Sequence, residues 1–107
     1  MKLLVAIIHR DDGTVVLDEL AARGIAFTRL STTGGFLRTG NDTLLMGLEE
    51  SGIEGVLDIL RAHCSVRKQF VDAGTMPFMG TLLHAPVEVT VGGATVFVLD
   101  VDQFHKI

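Results

Sequence analysis

The chain opens on an unbroken aliphatic run and then alternates between helical and strand-like spacing. Residues 3–8 are six consecutive apolar residues with β-branched members, the pattern of a strand covered on both faces. Asp11 or Asp12 stands where a helix cap is expected, and Val15, Val16, Leu20 and Ala21 recur at helical spacing until Gly24 ends the run. Residues 25–32 alternate with period two: Ile25, Phe27 and Arg29 face one way, Ala26, Thr28 and Leu30 the other. Residues 42–48 read as a third strand. Ser51-Gly52-Ile53-Glu54 has the spacing of a capping box, and Ile53, Val56, Leu57, Leu60 and Cys64 then line one helical face. An unassigned run (66–71) and a long irregular loop (72–85) follow. Two further strands, 87–91 and 94–99, flank Gly92-Gly93, a link that predicts a hairpin.

This order predicts an α+β fold, a ferredoxin-like βαββαβ sandwich with an extra C-terminal hairpin strand, in one domain over residues 1–107. Two helices cover one face of such a sheet and leave the other bare. Val5, Ile7, Leu45, Val96 and Val98 are the apolar residues expected there, and another copy of the same sheet is the simplest cover.

Composition narrows the function. A net charge of −4 argues against the broad basic footprint that DNA or RNA requires, although one arginine and a few backbone amides can hold a small phosphorylated ligand. The single cysteine, Cys64, excludes an intramolecular disulfide and a cysteine-rich zinc site. The short N-terminal apolar run has no small-residue cleavage site after it, so it reads as a strand and not as a signal peptide. With no run near the roughly 18 apolar residues of a membrane span, a cytoplasmic protein without membrane insertion is expected.

No catalytic constellation emerges, and no enzymatic activity is expected. His9, His63, His84 and His105 fit no metal spacing on one element, so no metal site is assigned, and Cys64 reads as a small buried apolar residue. Ser31, Thr32 and Thr33 lack a nucleophile elbow. The richest segment is 31–41, with Gly34, Gly35 and Gly40, several hydroxyls, Phe36, Leu37, Arg38 and Asn41. One reading is a β-turn using glycine at positive φ. The other is a nucleotide loop: Gly34 and Gly35 admit amides to phosphate oxygens, Phe36 or Leu37 packs on a base, Arg38 adds charge, and Asn41 reads a base edge. Thr28 on the neighbouring strand adds a hydroxyl. The loop at 72–85, with Met76, Pro77, Phe78 and Met79, reads equally as a lid or as a segment tucked against an oligomer.

The strings Met1-Lys2-Leu3-Leu4-Val5-Ala6-Ile7, Thr32-Thr33-Gly34-Gly35-Phe36-Leu37-Arg38-Thr39-Gly40-Asn41, Pro86-Val87-Glu88-Val89 and 91–99, with Val101-Asp102 and Phe104-His105, closely resemble the PII-like cyclic di-AMP receptor proteins. The resemblance spans nearly the whole chain in order. It implies a ferredoxin-like homotrimer that binds cyclic di-AMP between subunits and signals to a downstream partner protein, without catalysis and without a further cofactor. Thr28, Gly35, Phe36, Leu37, Asn41 and Gly47 match residues such proteins use around the nucleotide. Gly24 and Ala26 stand where relatives commonly carry asparagine and arginine, and Lys106 where a glutamine is often found, so Lys106 joins the candidate contacts. Two alternatives share the architecture: an adaptor sensing another adenine nucleotide or none, and a divalent-metal-binding trimer of the copper-tolerance type.

Overall fold

The structure is a computed structural model describing residues 1–32, 40–72 and 86–107. Strand β1 (Lys2–His9) runs straight into helix α1 (Arg10–Ala22), followed by β2 (Thr28–Thr32) and β3 (Asn41–Leu48). A 3-10 turn (Glu50–Gly52) leads into α2 (Ile53–His63), then β4 (Arg67–Asp72), β5 (Pro86–Val91) and β6 (Ala94–Asp100). Four strands form an antiparallel sheet in the order β2-β3-β1-β6, the ferredoxin-like arrangement expected. β4 and β5 form a separate two-stranded arm, paired from Arg67↔Val91 to Asp72↔Pro86.

Side-chain alternation divides the sheet into two faces. Leu4, Ala6 and Ile8 of β1 and Leu44 and Met46 of β3 are buried with Val16 and Leu20 of α1 and Val56, Ile59 and Leu60 of α2. Ile25 and Phe27 pack against this core although the second strand begins only at Thr28, three residues later than the alternation predicts. The opposite face carries Val5, Ile7 and Leu45 as expected, with Leu3 beside them. Val96 and Val98 do not join them. Val98 pairs with Leu4 and Val96 with Ala6, so both point to the helix side, while Phe97 and Leu99 oppose Val5 and Leu3 on the open face.

Three local expectations are corrected. The cap of α1 is His9 and not an aspartate, because the strand enters the helix without a loop; its Nδ1 accepts from the Asp11 amide at 3.2 Å. The capping box at Ser51 is not made: the 3-10 turn takes up Ser51, and α2 begins at Ile53 behind Gly52 with no side-chain cap. The Gly92-Gly93 hairpin is replaced by a change of sheet. Both glycines adopt positive φ (85° and 90°), but β5 pairs with β4 and β6 with β1. A turn signal fixes where a chain bends; the unpaired edge of β1 decides where it goes next.

Expectation and structure agree at the end of α1. The Ile25 amide reaches Leu20 O at 2.9 Å and the Gly24 amide reaches Ala21 O at 3.0 Å, a Schellman ending with Gly24 at φ +71°.

Gly13, buried in α1, faces the wholly buried Asp42, whose Oδ2 a Cβ would strike. Gly13→Ala is therefore expected to destabilise by about 1–3 kcal/mol through overpacking. Gly55→Ala in α2, which meets nothing within 4 Å, is expected to stabilise by roughly 0.5–1 kcal/mol through helix propensity. Urea midpoints of the two variants check the contrast.

Candidate functional site

Four of the candidate residues, Gly35, Phe36, Leu37 and Arg38, lie outside the described residues, as do His84 and residues 73–85 of the second loop. Thr28, Asn41, Gly47 and Lys106 can be placed. Thr28 pairs with Leu45, Asn41 with Thr32 and His9, and Gly47 with Leu3, so all three occupy open-face positions of the sheet. Thr28 is exposed one diagonal step from Gly47, whose missing Cβ would meet only Met1 Sδ at 3.9 Å. Asn41 is six residues from Gly47 on the same strand, about 20 Å away.

The candidates thus fall into two groups. Gly47 sits near one end of the sheet, opposite Leu3, and Thr28 stands one step inward, opposite Leu45. The C-terminal segment bearing the exposed Lys106 leaves from that end, because Asp100 pairs with Lys2 and the Val101 amide donates to Met1 O at 3.3 Å. Lys2 and Asp100 are also hydrogen-bonded through their side chains, which raises the lysine pKa and lowers that of the carboxylate. Asn41 sits at the other end, beside the segment it closes. The surface between them is apolar: Val5, Ile7, Leu45, and the largely exposed Leu30, Phe97 and Leu99.

Gly24 and Ala26 are exposed just ahead of β2. A Cβ at Gly24 would meet nothing within 4 Å, and asparagine is the side chain that best tolerates its left-handed backbone. Glycine here therefore answers to the left-handed backbone and not to a lack of space.

The helix side holds polar contacts that periodicity does not reveal. Asp42, 0% exposed, accepts from Ser31 Oγ at 3.0 Å and lies 3.0 Å from Arg29 Nη2. Arg29 is thus a structural cation and not a free one at the sheet edge. At the start of the arm, Arg67 Nη2 donates to Asp12 Oδ1 at 2.6 Å across 55 residues of sequence, so no local signal could have found it.

Cys64 is buried, and burial, reinforced by Asp12 and opposed by Arg67, pushes its thiol up to about 11, which suits the structural role expected of it. A cleft of about 460 Å³ between α2 and β6, lined by Leu57, Leu60, Cys64, Val66 and Val96 with Arg61 at its rim, opens on the helix side, away from Thr28, Asn41 and Gly47. Among the described residues no group of three or more His, Cys, Asp or Glu side chains converges to hold a metal, and no helix is long and apolar enough to cross a membrane.

The chain is similar over 99% of its length to a crystal structure of a functionally unknown protein from Pediococcus pentosaceus ATCC 25745, at 39% identity and a TM-score of 0.77, covering 96% of that chain. The cyclic-di-AMP receptor family model matches residues 1–107, the whole length read above, and the chain belongs to that receptor family.

Proposed function

We propose that the protein is a PII-like signal-transduction trimer that binds cyclic di-AMP in clefts between its subunits and relays occupancy to a partner protein in the cytoplasm. Membership of the receptor family carries this reading. The division of the candidates supports the intersubunit cleft: one copy holds Asn41 six residues of β3 away from Gly47 and four away from Leu45, the partner of Thr28. A ring of head-to-tail copies, meeting through the apolar sheet face, sets one end of a sheet against the other end of its neighbour. The ligand is then held by Thr28, Gly47 and Lys106 from one side and by Gly35, Phe36, Leu37, Arg38 and Asn41 from the other. Backbone amides and Arg38 take the phosphates, Phe36 and Leu37 pack on adenine, and Asn41 reads its edge. Relay follows from ordering of the segments at either end of the cleft.

Isothermal titration of the purified protein tests this. Micromolar or tighter binding of cyclic di-AMP is expected, at one ligand per subunit. Absent binding, with tight binding of another adenine nucleotide, would transfer the site to that nucleotide and favour the adaptor alternative, which Gly24 and Ala26 already recommend as the second reading. Gly24→Asn with Ala26→Arg adds an amide and a charged donor beside Thr28. The pair is expected to tighten cyclic di-AMP binding about 10- to 100-fold, each new hydrogen bond contributing roughly 1 kcal/mol or somewhat more.

A further inference from the structure

The arm formed by β4 and β5 packs chiefly on itself and touches the four-stranded body little, so its direction depends on its root. There the chain leaves at Ser65 and Val66 and returns at Gly92 and Gly93. Arg67 occupies the root. Its Nη1 donates to Ser65 O at 3.2 Å, and a Cβ at Gly92 would fall 2.6 Å from both of those atoms, so only glycine lets the guanidinium lie so close. Its Nη2 donates to Asp12 Oδ1 at 2.6 Å. Asp12 is 6% exposed, and its Oδ2 has no hydrogen-bond partner. The Arg67–Asp12 contact ties the root of the arm to α1.

Asp12 belongs to the first turn of α1, and the same turn meets the chain where the glycine-rich segment ends. The Arg10 amide donates to Gly40 O at 3.4 Å. The Arg10 guanidinium lies against Gly40, where a Cβ would come within 2.7 Å of its Cζ, and Gly40 holds φ +73°. One helical turn therefore touches Gly40 through Arg10 and the arm root through Asp12, two residues apart.

We propose that the Arg67–Asp12 pair is a latch setting the angle at which the arm leaves the sheet, and that the first turn of α1 transmits changes at Gly40 to that latch. The latch stands on geometry alone; its use in signalling rests on the reading that Gly40 and Asn41 border the ligand. Releasing the arm leaves the Asp12 carboxylate without its cation, which biases the resting protein toward the latched direction. A shift of the turn by a fraction of an ångström lengthens a 2.6 Å contact enough to weaken that bias.

Distance measurement between spin labels tests both halves on the full chain without ligand. Labels are placed at Asp18→Cys on the exposed side of α1 and Glu88→Cys on the arm, in assemblies diluted with unlabelled chain. Cys64 can stay, since its thiol is buried and poorly ionised. The labelled parent is expected to give one narrow distribution. Arg67→Met and, separately, Asp12→Asn are expected to at least double its width, with the circular dichroism unchanged; if one variant fails to fold, the other decides. Gly40→Ala, which displaces the Arg10 guanidinium, is expected to broaden or shift the distribution with Asp12 and Arg67 intact. Unchanged widths in the folded latch variants would overturn the latch. An unchanged distribution in Gly40→Ala would overturn the coupling. Neither result depends on whether cyclic di-AMP binds, which calorimetry decides separately.

Discussion

Leu45→Asp is expected to convert the proposed trimer to monomers and to abolish cyclic di-AMP binding in the same preparation. Leu45 lies near the centre of the open face, paired with Val5 on one side and Thr28 on the other. Its neighbours on β3, Leu44 and Met46, face the helices and are buried within one chain. A carboxylate at 45 therefore leaves the core of each subunit intact while opposing any docking of this face, because burying an unpaired charge costs far more than burying leucine gains. Light scattering after gel filtration reads the mass and calorimetry the binding. Loss of both together is the signature of a site built from two copies. A monomer that still binds would sink the intersubunit cleft, and an undisturbed assembly would show that copies meet through another surface.

Arg29→Met is expected to lower stability by about 3 kcal/mol. Asp42 is wholly enclosed under α1, and Arg29 is the cation beside it. Removing one partner of a buried pair costs about 3–5 kcal/mol because a charge remains without compensation. Arg29 is itself 41% exposed, so water can partly replace it, which places the effect at the low end. That is still a large share of the roughly 5–15 kcal/mol that holds a domain folded. Replacing both partners, as Arg29→Met with Asp42→Leu, is expected to recover most of the loss, since no ion is then left in the interior. Urea denaturation measures both. A loss below about 1 kcal/mol for the single variant would mean that solvent reaches the carboxylate.

Much of the fold was legible because periodicity is a direct record of burial. The alternation through Phe27 marks Ile25 and Phe27 as core-facing, and Val16 and Leu20 of the helical stripe are buried, whereas its Val15 and Ala21 are exposed. β6 was misread because it is apolar at every position from Val96 to Leu99. Alternation then carries no sign of which face is which, and only its register with β1 resolves it. The arm strand β4 opens with Arg67, Lys68 and Gln69, so it shows no strand pattern on its own; pairing with β5 is what extends it. Of the candidate site, the open-face positions of Thr28, Asn41 and Gly47 follow from strand parity alone. Their separation does not, because it requires knowing which residues of β2 and β3 stand opposite each other. Asp42 looked like the polar start of a strand and proved to be the anchor beneath a helix.

The place of β6 in the sheet has a consequence for how the protein is made. β1 lies at the centre, and one of its two neighbours is the last strand, with Lys2 opposite Asp100. A growing chain therefore synthesises β1 well before β6, the strand that covers its second edge. Until residues 94–100 emerge, one edge of β1, aliphatic from Leu3 to Ile8, offers unpaired amides and carbonyls to any other nascent copy. Closure across so many intervening residues is also intrinsically slow. Faster delivery of β6 shortens the time for which this edge stands open.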